Sequence, residues 1–397
     1  MTDSDRPDRR QMWTAIALLW LAGNALRLTI LAVPPVIAMI RNELALSATG
    51  VGLLSGIPPA LFAIAAMLGS LLVARLGVRT ALVGGLSVVA VGSALRGAAS
   101  GTLSLFAATV VMSAGVAIMQ PVMPATVRQW LPSRIGLGTA VYTNGLLVGE
   151  IFPVLLTIPL LLPWLNASWR ASLVFWSLPV ACIAVIVFVF APRSRERRAE
   201  EAAAPRRWLP DWHRGLVWRL GGLFLCVNAM YFAANAFIPI YLTSQGRPEL
   251  IGAALLALNL GQLPASFLLL GTAGLLERRA WPYLASAALS ISAIAGVAWI
   301  VGPIATVLWA ALLGFSDAAA LILGLTLPPL LCRPEDVART SAGVFTISYG
   351  GAVVIAVASG AAWDMSGVPA LAFVPQAACA IGLFAIVLAL RAHRELR

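Results

Sequence analysis

The chain has 397 residues, 60% of them hydrophobic and only 11% charged, less than half the roughly 25% charge of a soluble domain. So few ionic groups cannot coat a water-exposed surface, and the apolar residues fall in runs of about 20, enough to cross about 30 Å of hydrocarbon. Its 27 cations are all arginine and face 16 acids, a net charge of +11; in such a chain the excess belongs to orienting loops and not to nucleic acid.

Other chemistries fall away by residue type. Without lysine there is no phosphate-binding loop of the G-x-x-x-x-G-K-S/T kind and no Schiff base. His213 and His393 lie in polar stretches, and Cys182, Cys226, Cys332 and Cys379 stand singly in apolar ones. No cofactor, metal site or disulfide framework is expected, and the cysteines read as small buried residues.

The pattern predicts an all-α membrane protein with twelve spans. In chain order they cover residues 13–40, 49–74, 80–98, 102–127, 138–162, 170–191, 216–243, 250–275, 281–301, 303–331, 341–363 and 369–390. A short polar start precedes the first, which is too long for a signal-peptide core and is expected to be retained. Between the sixth and seventh spans lies the longest polar stretch, rich in Arg, Glu and Ala, which reads as a linker. The expected organisation is a first six-helix bundle over 1–191, a cytoplasmic linker over 192–215 and a second bundle over 216–397. Trp208, Trp212 and Trp218, interleaved with Arg214 and Arg219, suit a short helix in the lipid headgroup region.

Arginine placement orients the chain. With the N-terminus in the cytoplasm, cytoplasmic segments carry 22 arginines, the opposite side carries Arg41, Arg96, Arg170 and Arg247, and Arg27 lies within the first span. Both ends are therefore expected inside, in a bacterial-type inner membrane, with lipid as the surrounding partner and a monomer as the working unit.

At an offset of 205 residues the halves align without a gap. Pro34 meets Pro239, Gly56 meets Gly261, Pro59 meets Pro264, Gly69 meets Gly274 and Gly97 meets Gly302. Pro124 then meets Pro329, Arg128 meets Arg333, Arg134 meets Arg339, Gly138 meets Gly343 and Gly145 meets Gly350. A repeat of six spans starts both halves on one side, so it is a parallel repeat about an axis along the membrane normal, as in transporters that rock two bundles about a mid-membrane cleft.

Twelve spans in this arrangement resemble the major facilitator superfamily. The loop Arg75-Leu76-Gly77-Val78-Arg79 is similar to its Asp-Arg-x-Gly-Arg loop motif, with Ala74 where the acid is expected and Ser70 where a glycine is. Within the superfamily the chain resembles the cyanate and 2-nitroimidazole transporter family. The likeness rests on residues 27–35 (RLTILAVPP), 46–58 (LSATGVGLLSGIP), Leu95-Arg96, 119–124 (MQPVMP), 134–142 (RIGLGTAVY) and 168–173 (SWRASL). The resemblance implies that the first, fourth, seventh and tenth spans line the cleft. Asn24 stands one residue further from the first-span arginine than the family pattern has it, and Gln120 replaces a frequent Asn, so substrate identity does not carry over.

Three ionisable groups fall deep in spans, where an unpaired charge costs roughly 3 kcal/mol or more: Arg27, Glu150 and Asp317. Arg27 keeps its proton and presents a planar fork of donors. Two compatible readings stand: contact with an anionic or electron-rich substrate, or a structural pair with Glu150. Asp317 has no arginine nearby in sequence and is expected to face the cleft, either as a proton-coupling acid, since burial favours a neutral carboxyl, or hydrogen-bonded to neighbours such as Ser316. Glu150 is read first as the partner of Arg27 and second as a proton carrier.

Uncharged groups complete the candidate site: Asn24, Gln120, Tyr142 and Asn144 from the first half, and Asn228, Tyr231, Asn235 and Gln262 from the second. Asn228, Tyr231 and Asn235 recur on one face of the seventh span, and Asn259 shares a face of the eighth with Gln262. Each serves as ligand contact or as helix-to-helix hydrogen bond. Arg96, at the outer end of the third span, is expected either to draw anions at the entrance or to snorkel to headgroups. No residue is expected to be catalytic. The leading reading is a secondary transporter for a small anionic or polar solute, cyanate-like or nitro-aromatic, with protons as a candidate coupling ion; broad-specificity drug efflux is the alternative. A membrane enzyme would need clustered catalytic groups, and a receptor would need a soluble domain.

Overall fold

The computed structural model describes residues 9–192, 210–300, 302–333, 336–393 and 395–396, with the side chains of residues 9, 67–76, 270–271, 273–274 and 338 outside that description. Every regular element among the described residues is helical: α1 Arg9–Leu31, α2 Ile37–Glu43, α3 Ala48–Leu76, α4 Val78–Gly97, α5 Thr102–Trp130, α6 Ile135–Leu156, α7 Leu162–Trp164 and α8 Trp169–Phe190. There follow α9 Gly215–Ser244, α10 Ile251–Leu260, α11 Gln262–Leu276, α12 Ala280–Trp299, α13 Pro303–Leu331, α14 Val337–Ser366 and α15 Val374–Ala392. Twelve stretches are long and apolar enough to cross a membrane. Each overlaps one of the twelve runs read from the sequence, with ends within three residues except at the second, fifth and eighth spans, where one end differs by six to eight, because hydrocarbon thickness fixes the length of an apolar helix.

The interruptions have local causes. Pro34 and Pro35 close α1, since proline has no N–H to continue the ladder, and a 3-10 turn over Pro34–Val36 leads into α2. A π turn over Thr157–Leu161 follows α6. The eighth span breaks at Gly261, between α10 and α11. There a Cβ would overlap the Ala311 carbonyl oxygen, and one on Gly314 would overlap that of Leu258, so only glycine lets α10 and α13 approach this closely. Gly77, with φ +71°, makes the turn between α3 and α4.

The chain forms two compact units that do not follow its halves. The first comprises Met1–Ala32, Leu68–Pro153 and Arg170–Arg207; the second comprises Val33–Met67, Val154–Trp169 and Trp208–Arg397. In the first unit α4 and α5 meet through Gly85, Gly92 and Gly115, where any Cβ would strike the facing helix, the small-residue packing that draws membrane helices together. In the second, α9 is the central helix, buried along nearly its whole length and packed by α13, α14 and α15.

The interfacial helix expected around the tryptophans does not form in the described part. Trp208 lies outside the described residues, residues 210–214 are a turn, and Trp218 belongs to α9 and donates to the Trp212 carbonyl at 2.9 Å. Arg214 bonds Asp336 at 2.8 Å and Asp211 at 3.2 Å; these ion pairs tie the segment to its own unit. Of the cysteines, Cys226 and Cys379 are buried, Cys332 is half-buried and Cys182 is exposed on α8, the apolar outer surface of a membrane helix serving a thiol as well as a core does.

Candidate functional site

In the first unit the parallel helices α1 and α6 share a seam without side chains. A Cβ on Gly23 would overlap the Tyr142 carbonyl oxygen, one on Gly145 that of Trp20, and one on Gly149 that of Asn24. Gly145 and Gly149 form a small-xxx-small pair that lets the two backbones touch. That contact sets the depth of the charged groups. One turn beyond it, Arg27 Nε lies 3.4 Å from Glu150 Oε1, with the arginine side chain 13% exposed and the glutamate 4%. The carboxylate lowers the cost of burying the cation.

Polar groups flank this pair towards the N-terminal ends of both helices. Trp20 Nε1 donates to Asn144 Oδ1 at 3.0 Å, and Asn24 Nδ2 donates to the Trp20 carbonyl at 3.1 Å. A groove of about 560 Å³ runs along the seam, lined by Trp13, Trp20, Ala140, Val141 and Asn144 among others. Its deepest residues stand about 9 Å short of the Arg27–Glu150 level, six residues at about 1.5 Å each. Tyr142 is half-buried beside the seam and Gln120 is half-buried on α5, between residues of the same unit.

Arg96 departs from both sequence expectations. It neither snorkels nor stands at an entrance: it is 1% exposed and donates to the Thr29 carbonyl at 2.7 Å and to Ser93 Oγ at 3.1 Å. The last turn of a helix has carbonyls without intrahelical donors, and α1 ends two residues after Thr29. Arg96 therefore caps the broken end of the first span, one turn's reach from Arg27. No acid lies beside it among the described residues. Of the loop motif, Arg79 donates to the Phe188 carbonyl and lies over that ring at 5.6 Å, Gly77 supplies the turn, and the Arg75 side chain lies outside the described residues.

In the second unit the polar stripe of α9 is bound up in helix contacts. Asn228 Nδ2 donates to Ser348 Oγ at 2.8 Å, Tyr231 Oη donates to Asn259 Oδ1 at 2.9 Å, and Asn259 Nδ2 donates to Asn235 Oδ1 at 3.1 Å. All three stripe residues are buried, as are Asn259 and Gln262. Asn259 is the hub of this network and was underweighted in sequence, where only its face, shared with Gln262, was visible. Asn259→Leu should remove the acceptor of the Tyr231 hydroxyl and the donor to the Asn235 amide oxygen, at about 2–4 kcal/mol for the two, lowering the Tm of the detergent-purified protein by several degrees; an unchanged Tm would mean that the network holds nothing together.

Asp317 lies in the second unit. Its surroundings include Ser290 on α12 and Cys379 on α15, and it is 3% exposed, so it points into its own unit. Both carboxyl oxygens lack a hydrogen-bond partner among the described residues, while Ser290 Oγ is 2.9 Å from Ser316 Oγ. Gly314 brings α13 against Leu258 of α10, and Asp317, three residues on and about 60° round the helix from it, meets α12 and α15. The predicted residues thus form two groups: Asn24, Arg27, Gln120, Tyr142, Asn144, Glu150 and Arg96 in the first unit, and Asn228, Tyr231, Asn235, Gln262 and Asp317 in the second.

Twelve apolar helices with buried ionisable groups and glycine-tight seams define a polytopic membrane transporter. The family model of the Major Facilitator Superfamily matches residues 19–357, and the chain belongs to that superfamily. It is 25% identical to the 2-nitroimidazole transporter of Escherichia coli (strain K12) over 332 residues, covering 82% of each. It is 25% identical over 387 residues to the cyanate transport protein CynX of the same organism, covering 94% of this chain and 96% of the relative. An uncharacterized transporter of Bacillus subtilis (strain 168), YycB, is 24% identical over 336 residues, 84% of this chain and 81% of the relative. Among solved structures, the nucleoside transporter NupG superposes with a TM-score of 0.71 at 14% identity, covering 96% of this chain and 98% of that one. A bacterial Spinster homologue in an inward-facing, unoccupied conformation gives 0.69 at 16%, covering 97% and 96%. At these identities the structural likeness speaks for the fold.

Proposed function

We propose that the protein is a secondary transporter that moves a small anionic or electron-rich polar solute, of cyanate or nitro-aromatic type, across a bacterial inner membrane by alternating access, with both chain ends in the cytoplasm. The observation that carries this reading is the Arg27–Glu150 pair at 3.4 Å, buried in the first unit with the arginine side chain 13% exposed as a whole. An anion entering along the α1/α6 seam competes with Glu150 for the guanidinium fork. The displaced carboxylate, left without its cation in hydrocarbon, takes up a proton. Cargo and proton then travel together, and release on the far side restores the pair. Asn24, Gln120, Tyr142 and Asn144 orient the cargo in this scheme. The sequence halves 1–191 and 216–397 act as the two rocking bundles joined by the 192–215 linker, and the protein works as a monomer. The two Escherichia coli relatives support the substrate class, cyanate being a small anion and 2-nitroimidazole a small solute whose nitro oxygens accept hydrogen bonds.

The test pairs binding with transport. Cyanate, nitrate, small carboxylates and 2-nitroimidazole are screened for a rise in Tm, which follows ligand occupancy by mass action, and the hits are taken to counterflow in proteoliposomes. Arg27→Gln should abolish the shift and lower counterflow at least about 100-fold, the loss of a charged bidentate contact of roughly 3 kcal/mol. Transport undiminished in Arg27→Gln would remove this residue from the site and the mechanism with it.

A further inference from the structure

A second arrangement, within the second unit and apart from the charge pair, ties the amino terminus of α3 to the carboxyl end of α14. Asp364 accepts from the Ala48 amide at 2.9 Å on one carboxylate oxygen and from the Thr49 amide at 2.8 Å on the other. These are the first amides of α3, groups that a helix leaves without acceptors and that carry its positive dipole end. Arg41, at the end of α2, lies 4.5 Å over the neighbouring Trp363 ring and donates to the Leu46 carbonyl at 3.3 Å, bracing the connection into α3. Below the cap, α3 and α14 are in backbone contact. A Cβ on Gly360 would overlap the Ala48 carbonyl, one on Gly52 that of Ala356, and one on Gly56 would press on Val353. The seam continues through Thr346 Oγ1 to the Ala63 carbonyl and through the edge-to-face Phe62 and Tyr349 rings, 5.3 Å apart.

We propose that Asp364 is a latch: its carboxylate on the amino terminus of α3 holds shut the seam between the second and eleventh spans on the side opposite the chain ends, and its release lets that seam part. Glycine packing alone gives close contact with small side chains and little to hold it. The charge-assisted cap sits at the rim, where water can replace the amides one end at a time, so the seam opens from the cap inward. The other end of α3 carries Ala74 in place of the expected acid, and among the described residues Asp364 engages the amino terminus of this helix. The inference rests on the alternating-access reading, in which one face must part during each cycle.

The test needs no cargo, so its failure and the failure of the substrate reading are separable. In the full chain with its four cysteines replaced by serine or alanine, Gly56→Cys and Val353→Cys are combined. A Cβ on Gly56 stands 3.8 Å from that of Val353, within the roughly 3.5–4.5 Å a disulfide requires. In membranes treated with copper phenanthroline the pair should cross-link readily. Asp364→Asn should slow cross-linking about tenfold by weakening two charge-assisted bonds, and Asp364→Glu should restore most of the rate. Should Asp364→Asn fail to accumulate, Thr49→Pro removes one donor at a first-turn position that tolerates proline and should slow the reaction in the same direction. Cross-linking at the parent rate in either accumulating variant overturns the latch.

Discussion

Glu150→Gln should uncouple anion movement from the pH gradient. The amide keeps the size of the carboxyl and a hydrogen-bonding oxygen for Arg27, but it can neither repel an incoming anion nor take a proton. Two effects of opposite sign follow. The apoprotein, left with a buried cation that has lost its carboxylate, should lose stability by about 3–5 kcal/mol and melt several degrees lower. Added anion should restore much of that loss, and its apparent affinity should rise at least about tenfold because nothing competes for the guanidinium. In proteoliposomes with an imposed inward proton gradient, the parent should accumulate nitrate or cyanate, whereas the variant should only equilibrate it. Asp317→Asn is the contrast: that carboxyl points towards Ser290 and Cys379 and not towards Arg27, so the substitution should leave the pH response intact and Tm unchanged or higher. A pH response lost with Asp317→Asn and kept with Glu150→Gln would transfer the proton role to the second unit.

Gly149→Val should have the largest effect on structure. The glycine stands against the Asn24 carbonyl with no room for a methyl group, and the opposing atoms are backbone, which cannot swing aside. Overpacking costs about 1–3 kcal/mol where side chains can yield; here α1 and α6 must separate, so the loss should reach at least about 3 kcal/mol. Tm should fall by roughly 5–10 °C. Because Glu150 is the next residue, the charge pair should part as well, and anion-induced stabilisation should vanish along with the lost Tm. Gly136→Ala, on the same helix with nothing within 4 Å of a new Cβ, should do neither.

The span architecture was legible because the bilayer imposes one length on every apolar helix, and proline and glycine mark where those helices break. Arg27 and Glu150 stood out because charge in hydrocarbon is expensive, and their common half of the chain made pairing one of two readings. Direction was not legible. Asp317 lies three residues from Gly314, on the same side of α13, and nothing in a single sequence says which neighbouring helices that side meets. Arg96 looked peripheral because it ends a span, but the Pro34 break elsewhere in the chain draws its guanidinium inward to the Thr29 carbonyl. Asp364 passed unnoticed as a loop-end acid, since the amides it binds lie more than 300 residues away. The seam glycines stand as Gly145-x-x-x-Gly149 and Gly52-x-x-x-Gly56, a spacing that does not name its partner helix.

The interior of the first unit contains two guanidinium groups, Arg27 and Arg96, and among the described residues a single acid beside them, Glu150. A net positive charge is therefore carried inside the dielectric, where the cell's resting voltage acts on it at about 2.3 kcal/mol per elementary charge and 100 mV for a full crossing. Any cycle that shifts this unit along the field must then feel membrane polarisation even when empty, and because a monoanion enters together with the proton that neutralises Glu150, the loaded unit carries the same net charge and feels it equally.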